Sequence, residues 1–464
     1  MPPFAGLDRR GVLKASAAAT AALAASLASG RQARAAGGTK TKRPNIVFIM
    51  ADDMGFADVS FNGQRDFTTP NIDAIAINGA RFPSAYANSA VCSATRTALI
   101  TGRYQYRLPL GLEEPLAGVS PPGIGLPPEM PTLPSLLRDA GYHTMLVGKW
   151  HLGELPKFGP LQSGYDHFFG FRGGALDYFS HHTRTGKPDL WDQDVPVEEA
   201  GYLTDLIGQH SVAAISEFSK TDKPFFISVH FNAPHWPWEG PDDEAESNRI
   251  KKTNLLHLDG GSKKTYQDMI QAMDRQVGAI LDELKAKGLF DNTIVIFTSD
   301  NGGERFADVW PFSGQKTELL EGGLRVPTAM SWPAHIAKGQ TCEQAMITMD
   351  WVPTLLAAAG TAPAKDYPSD GMDLLPVLTG AAHNLCRANY SGATRPIISG
   401  PCWTDIINIS RSRKTPICST WRTIRSSART SRRASRNALR RWLLPGSPGT
   451  KPCCPKSMPA SPKA

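Results

Sequence analysis

The chain has 464 residues, enough for one large α/β domain and a smaller one, and its 41% hydrophobic and 20% charged content is ordinary for a globular protein. The net charge of +7 is uneven, because residues 385–464 hold 16 Lys and Arg with a single acid, Asp405, whereas 34 basic and 42 acidic residues precede them. The basic balance therefore does not indicate nucleic-acid binding by the body of the protein.

The N-terminal residues have the features of an export signal. A twin-arginine segment, Asp8-Arg9-Arg10-Gly11-Val12-Leu13-Lys14, precedes an Ala-rich run that ends near Ser29, and Ala33-Arg34-Ala35 has the small residues of a cleavage site. A membrane anchor is the alternative, but the run is short and dominated by alanine. We therefore expect a twin-arginine signal peptide over residues 1–35, periplasmic or secreted delivery by the bacterial twin-arginine translocase, and no stable membrane anchor.

Residues 44–359 alternate apolar strands with amphipathic helices. Strands are predicted at residues 45–51, 143–147, 224–231, 293–299 and 326–332. Several are continuous apolar runs, which is typical of strands buried on both faces. The clearest helix, residues 265–287, has one apolar stripe with core methionines and is followed by Gly288. The pattern predicts an α/β fold with a large, mixed but mostly parallel central sheet flanked by helices.

Charged and polar residues directly follow four of these strands. In chain order they are Asp52 and Asp53, then Lys149 and His151, then His235, and finally Asp300 and Asn301. Ligands of open α/β sheets bind at the carboxyl ends of the strands, so we expect these side chains to share one site. Any one of them alone would usually be structural, but their coincidence at four strand ends favours a functional role.

Asp52, Asp53, Asp300 and Asn301 offer only oxygen ligands. Hard divalent cations such as Ca²⁺ or Mg²⁺ prefer such a set, whereas zinc would prefer His or Cys. For the Asp-Asp pair, a capping or turn role is the structural alternative. The four residues together indicate a site for a hard divalent metal.

Cys92 and Arg96 lie where a small-residue loop leads into a predicted helix. A residue at a helix N-terminus faces unpaired N–H groups and the positive end of the helix dipole, a setting that favours an anion. Arg96 follows one turn later and lies on the same helix face. The pair suits a site for an anionic ester, although an isolated cysteine is more often a small buried apolar residue.

Five short motifs contain Lys316 and the candidate residues named above other than Asp52 and Asp53. They are Cys92-Ser-Ala-Thr-Arg96 with Thr101-Gly-Arg103, Gly148-Lys-Trp-His-Leu-Gly153, Pro234-His-Trp-Pro237, Ser299-Asp-Asn-Gly302, and Lys316 followed by Glu321-Gly-Gly323. With these motifs, residues 43–380 resemble the formylglycine-dependent type I sulfatases of the alkaline-phosphatase-like superfamily. Ala94 departs from the commonest form of the signature, which has proline there, and this leaves open which maturation enzyme would accept the chain.

The resemblance implies a cofactor set and a role for each site residue. Cys92 would be converted to Cα-formylglycine by a formylglycine-generating enzyme, and calcium, rather than magnesium, would bind Asp52, Asp53, Asp300, Asn301 and residue 92. One hydroxyl of the hydrated aldehyde would attack sulfur while Arg96, Lys149 and Lys316 disperse charge on the sulfuryl oxygens. His235 or Lys316 would protonate the leaving oxygen, and His151 would help to deprotonate the second hydroxyl.

The implied activity is hydrolysis of an aryl or carbohydrate sulfate ester, and two alternatives stay open. A phosphodiesterase or phosphonate monoester hydrolase of the same superfamily can share the formylglycine site. A non-catalytic protein that only binds anionic glycans would result if Cys92 were not converted or the C-terminal region were damaged.

The last part of the chain does not follow the family pattern. After Gly380, sulfatases continue into a small α+β domain, whereas residues 381–464 here are Arg- and Ser-rich and contain five of the seven cysteines. A basic tail that binds nucleic acid or membrane is one interpretation. Back-translation in one shifted frame instead permits a sulfatase-like ending in five places. We therefore predict a frameshift near residues 381–388 that replaces the small domain by a disordered tail.

Overall fold

The computed structural model describes residues 42–111, 123–253, 260–381 and 386–388. The expected signal peptide (1–35) and nearly all of the predicted tail (381–464) lie outside the described residues, so the domain boundaries remain predictions. Within the described ranges, no helix combines the length and the apolar character needed to cross a membrane.

Thirteen strands and nine α-helices form the described part of the chain. The strands are β1 (Asn45–Ala51), β2 (Gly79–Arg81), β3 (Ala85–Tyr86), β4 (His143–Lys149), β5 (His167–Phe171), β6 (Trp191–Asp192), β7 (Val195–Pro196), β8 (Phe225–His230), β9 (Thr293–Ser299), β10 (Ala329–Ser331), β11 (Gln340–Cys342), β12 (Met346–Ile347) and β13 (Cys386–Ala388). The helices are α1 (Pro70–Ile77), α2 (Cys92–Thr101), α3 (Leu133–Asp139), α4 (Leu203–Phe218), α5 (Glu244–Thr253), α6 (Lys263–Ala286), α7 (Glu321–Leu324), α8 (Trp351–Ala358) and α9 (Leu375–Leu378).

Eleven of the strands form one sheet, in the order β13-β11-β2-β10-β9-β1-β8-β4-β5-β6-β7. Its centre, β9-β1-β8-β4-β5, is parallel, and β10 and β6 join it antiparallel on either side. The predicted mixed, mostly parallel sheet is confirmed. The predicted strand over residues 326–332 is shorter, at Ala329–Ser331, because Pro327 has no N–H to donate to a neighbouring strand.

The sheet has a hydrophobic core on each face. Along β1, Val47 and Ile49 pack into one core, which contains the buried stripe of α6, while Phe48 and Met50 pack into the other, which contains Trp351 of α8. Both neighbours of β1 are parallel strands, so its alternating side chains must be apolar in both directions. This explains the continuous apolar run and confirms helices on both faces.

Helix α6 matches the prediction for residues 265–287 within two residues at its start and one at its end. Its first turn is capped by the Ser262 hydroxyl, which accepts a hydrogen bond from the Thr265 N–H at 3.0 Å. It ends before Gly288, whose φ of 67° lies in the left-handed region. Met269 and Met273 are fully buried, as expected of core methionines.

The parallel arrangement decides where polar residues gather. Strands β1, β4, β8 and β9 run in the same direction, with Met50 of β1 in register with Thr298 of β9 and with His230 of β8. The residues that follow these strands therefore leave the sheet at one edge, and the site lies there.

Candidate active site

Three carboxylates meet at this edge. Oxygen atoms of Asp52, Asp53 and Asp300 all lie within 4.8 Å of one another, and all three residues are buried. The Asp53 N–H donates to Asp300 Oδ1 at 3.3 Å, and Asp53 has a φ of 65°, in the region that L-residues rarely adopt. The turn after β1 is therefore held in a strained conformation that directs two adjacent carboxylates to one point.

The donor set fits a hard divalent metal. Asp52 Oδ1 and Asn301 Oδ1 are buried and have no hydrogen-bond partner within the described residues. Burial, together with Asp300, raises the pKa of Asp52 well above its usual range. Unshared oxygens among clustered carboxylates are what Ca²⁺ or Mg²⁺ would bind, and a cation would relieve the cost of burying several negative charges.

Three cations contact the same carboxylates. The Lys149 ammonium donates to Asp52 Oδ2, the Lys316 ammonium donates to Asp53 Oδ2 at 2.6 Å, and the Arg96 guanidinium donates to Asp300 Oδ2 at 2.9 and 3.1 Å. Burial opposes ionisation of Asp300, but Arg96 and Lys149 outweigh it and hold the pKa of this carboxyl below its usual value. Burial opposes the charge on Lys316 as well, yet Asp53 and other neighbouring groups raise the pKa of its ammonium.

Cys92 is the first residue of α2 and is buried. Its Sγ lies within 4.8 Å of both an Asp52 oxygen and a His235 nitrogen. Burial is the main cause that raises the pKa of the thiol to about 11, so the unmodified side chain is a neutral thiol at neutral pH. In this form residue 92 is a weak nucleophile, in contrast to a cysteine whose charge is stabilised by its surroundings.

His235 lies against the carboxylate cluster and is buried. Its Nε2 is 3.6 Å from Asp53 Oδ2, and its Nδ1 is 2.6 Å from the carbonyl oxygen of Trp236. Burial, helped by the charge of Lys316, lowers the pKa of His235 well below its usual value. The ring is therefore neutral, with the Nδ1 proton donated to Trp236.

His151 follows β4 and is also buried, with a φ of 57°. Its backbone N–H donates to the Arg172 carbonyl at 3.1 Å. Its ring packs on Gly174, where an added Cβ would lie 2.7 Å from ring atoms Cε1 and Nε2. Only glycine leaves room for the ring in this place.

The predicted residues thus fall into a few connected groups. Asp52, Asp53 and Asp300 share one centre, and Arg96, Lys149 and Lys316 are bonded to it. Asn301 reaches the same centre through its Nδ2, which donates to Asp53 Oδ1 at 2.7 Å, and Cys92 and His235 lie beside it. His151 is placed by the loop after β4 and by Gly174. The chemical roles of these residues remain predictions.

Sequence reasoning missed several residues that support the site. His230, the last residue of β8, has its Nδ1 3.2 Å from Arg96 Nη1. The Tyr266 hydroxyl of α6 donates to Asp58 Oδ2 at 2.6 Å, and Asp58 also accepts from the Gly55 N–H. Burial raises the pKa of Asp58 to about 7. Tyr266 had no local signal, since 208 residues separate it from Asp58, whereas His230 stood at a strand end as the other site residues do.

Glu304 is a further partly buried carboxyl at the site. It follows Asp300-Asn-Gly-Gly303 in the sequence, and burial together with Asp53 raises its pKa while Lys316 lowers it. Its place directly after a recognised motif was a signal that the prediction did not use.

Comparisons with known proteins agree with this geometry. The Sulfatase family profile matches residues 44–361. The mouse N-acetylgalactosamine-6-sulfatase is 34% identical over 359 residues, which cover 72% of this chain and 66% of the mouse protein. Human arylsulfatase A is 33% identical over 373 residues, which cover 75% of this chain and 70% of the human protein.

A solved structure adds the fold comparison. The crystal structure of Ps i-CgsB in complex with k-i-k-neocarrahexaose matches with a TM-score of 0.63 at 32% identity, covering 72% of this chain and 76% of that chain. The mouse relative extends beyond the match by about a third of its length. The profile match spans most of the described sheet and all of the site residues, and we conclude that this chain belongs to the sulfatase family.

Proposed function

We propose that this protein hydrolyses sulfate esters of sugars or aryl alcohols. The observation that carries the proposal is the interleaving of three buried carboxylates with three buried or partly buried cations next to residue 92. With all six groups ionised their charges cancel, so a bound divalent cation, which favours the ionised form of Asp52, would give the centre a net charge of about +2. Such a centre attracts an anionic ester to residue 92.

Residue 92 would act after conversion of Cys92 to formylglycine. The hydrated aldehyde supplies a hydroxyl nucleophile and a second hydroxyl for release of the product, neither of which a thiol provides. The raised pKa of the Cys92 thiol agrees with a need for this conversion. The Cys-x-Ala-x-Arg form of the signature suggests a maturation enzyme that accepts Ala94.

The metal would be calcium, with magnesium as the less favoured ion. Asp52, Asp53, Asp300 and Asn301 would hold it together with residue 92, and its charge would stabilise negative charge that develops on the substrate. Oxygen-only ligands in a turn of unusual backbone conformation suit the flexible coordination of calcium better than the strict octahedron of magnesium.

The remaining side chains bind the sulfuryl group and move protons. Arg96, Lys149 and Lys316 donate hydrogen bonds to its oxygens, where negative charge increases in the transition state. The raised pKa of Lys316 and the lowered pKa of His235 favour Lys316 as the proton donor to the leaving oxygen, because Lys316 holds a proton at neutral pH and His235 does not. His151 is the base that helps to deprotonate the second hydroxyl.

The site of action would be the periplasm or the exterior of a bacterial cell. The Arg9-Arg10 segment and the Ala33-Arg34-Ala35 sequence support export through the twin-arginine translocase. This route carries folded proteins, so conversion of Cys92 can precede it.

The test is a comparison of substrate classes with one enzyme preparation. The full chain is coexpressed with a formylglycine-generating enzyme, and conversion of Cys92 is measured by mass spectrometry. Hydrolysis of 4-nitrophenyl sulfate and of galactose 6-sulfate is then compared with that of bis(4-nitrophenyl) phosphate and phenylphosphonate monoester, with Cys92→Ala as control. Faster turnover of the sulfates supports the proposal. Faster turnover of a phosphorus ester would favour the phosphodiesterase or phosphonate monoester hydrolase instead. Binding of sulfated glycans without turnover by the converted protein would favour a non-catalytic glycan-binding protein.

A further inference from the structure

His230 is a buried histidine that lies behind the sulfate-binding residues. It ends β8, between β1 and β4, with its ring edge-on to Phe48 at 6.4 Å between centroids. Its Nδ1 is 3.2 Å from Arg96 Nη1 and also 3.2 Å from the carbonyl oxygen of Lys149. No role in the proposed chemistry requires it, so its contact with Arg96 needs an explanation.

The direction of the hydrogen bond follows from the chemistry of the two groups. The contact with Lys149 alone would allow an Nδ1–H donor, but a guanidinium has only donors. We therefore assign Nδ1 of His230 as the acceptor from Arg96 and place the ring proton on Nε2. Burial and the charge of Arg96 lower the pKa of His230 to about 3, so the ring is neutral and can accept. The Lys149 carbonyl then accepts from Arg96 Nη1, at 3.3 Å, and does not bond to the imidazole.

These contacts account for four of the five N–H groups of Arg96. Nε and Nη2 each donate one hydrogen to Asp300 Oδ2, and the two hydrogens of Nη1 are shared between the Lys149 carbonyl and His230. Among the residues that the structure describes, the second hydrogen of Nη2 has no partner this close, since Asp52 Oδ2 is 3.8 Å away, beyond hydrogen-bond distance. This fifth N–H is the one that Arg96 can offer to a substrate oxygen.

We propose that His230 is a positioning residue that fixes the rotation of the Arg96 guanidinium and so aims its fifth N–H at the sulfuryl group. Asp300 holds only one edge of the guanidinium, through a single oxygen, which leaves the group free to tilt about that contact. The acceptors at Nη1 remove this freedom from the opposite end. The expected effect of His230 on turnover rests on the proposed function, whereas its expected effect on the binding of an oxyanion does not.

The surroundings of the ring support a fixed orientation. A cavity of about 20 Å³ lies beside it, lined by Phe48, Tyr165, Phe226 and Ser228 among others. His230 Nε2 has no hydrogen-bond partner within the described residues, and this space is large enough for about one water molecule, to which an Nε2–H would donate. The Tyr165 hydroxyl and Ser228 Oγ, 2.9 Å apart, bond to each other on the same wall. Arg96 contacts the ring through Nδ1 and Phe48 packs edge-on against it, and these two contacts favour one orientation of the imidazole.

The test separates the acceptor from the packing of the ring. His230→Asn places an oxygen near the position of Nδ1, whereas His230→Leu fills the space without an acceptor, and His230→Phe serves the same purpose if the Leu variant does not fold. Ser228→Ala is the matched control, because it alters the same cavity and its hydroxyl bonds to Tyr165. Conversion of Cys92 and the melting temperature are measured for each variant.

We expect His230→Leu to lower kcat for 4-nitrophenyl sulfate by about 10- to 100-fold, with a smaller change in KM, because a misdirected donor acts mainly in the transition state. His230→Asn should stay within about threefold of the parent, as should Ser228→Ala, since each keeps an acceptor for Arg96. Equal activity of the Leu and Asn variants, or a Leu variant as active as the parent, would overturn the proposal.

A second readout does not depend on turnover. Binding of inorganic sulfate in the presence of calcium, measured by calorimetry, should weaken about two- to fivefold in His230→Leu, in line with the smaller change in KM, and be retained in His230→Asn. If the parent binds sulfate but hydrolyses no sulfate ester, the proposed function fails and this comparison still decides the role of His230. Equal sulfate affinity in the Leu and Asn variants would overturn that role.

Discussion

Gly174 allows the sharpest test of the place of His151 in the site. An alanine Cβ at position 174 would lie 2.7 Å from His151 Cε1 and Nε2, whereas ordinary contact begins at 3.4 Å. The ring must therefore retreat by about 0.7 Å, the difference between the two distances. The φ of Gly174 is not in the left-handed region, so alanine adds no backbone strain of its own.

If His151 is the base that we propose, a displacement of this size should lower kcat by about 10- to 100-fold, because proton transfer requires the ring within hydrogen-bond reach. The assay is steady-state hydrolysis of 4-nitrophenyl sulfate by preparations with equal formylglycine content, with the melting temperature recorded to exclude unfolding. His151→Ala and the double variant provide the control: if Gly174→Ala acts only through His151, the double variant is no slower than His151→Ala. A folded Gly174→Ala enzyme with unchanged kcat would refute the reasoning, and so would an additive loss in the double variant.

Three further predictions concern the buried charges. Lys149→Met removes the partner of buried Asp52, so the free energy of unfolding, measured in urea with EDTA, should fall by about 3–5 kcal/mol. Added calcium should restore part of this loss. An unchanged free energy of unfolding in EDTA would contradict the ion pair. EDTA should lower the melting temperature of the parent, and calcium should restore it. At a calcium concentration a hundredfold above the dissociation constant, the free energy of unfolding should rise by about 2.7 kcal/mol. A melting temperature that neither EDTA nor calcium changes would argue against a metal among Asp52, Asp53 and Asp300. The pKa of Asp58 is raised to about 7 by burial, so the folded state binds the additional proton and its stability should decrease as pH rises from 4 to 7. Asp58→Asn should remove this decrease, which has a limiting slope of about 1.4 kcal/mol per pH unit, and a variant with the same pH profile as the parent would contradict the assignment.

The sequence predicted those parts of the fold that depend on local pattern. β1 and β9 have the predicted bounds, because a continuous apolar run that ends in Asp or Ser-Asp marks a strand buried on both faces up to its polar end. The short strands β6, β7 and β11 were not predicted, since they have only two or three residues and no detectable alternation.

For the site, position after a strand was the informative signal. Asp52, Lys149 and Asp300 meet because parallel strands deliver their carboxyl ends to one edge, which the order of strands and helices implies. The partners of each group could not be read in this way. The pairing of Arg96 with Asp300 joins residues 204 positions apart, and that of Tyr266 with Asp58 joins residues 208 apart, so both are set by tertiary packing.

In the proposed reaction, turnover of sulfate esters depends on formylglycine at position 92. The most direct measurement compares specific activity on 4-nitrophenyl sulfate with the fraction of the residue-92 peptide that is lighter than the cysteine form by about 18 Da, as conversion of a thiol to an aldehyde requires. Preparations with different levels of the maturation enzyme supply the range. We predict a straight line through the origin. Activity without conversion, or a fully converted protein that hydrolyses no sulfate ester in calcium, would contradict the account.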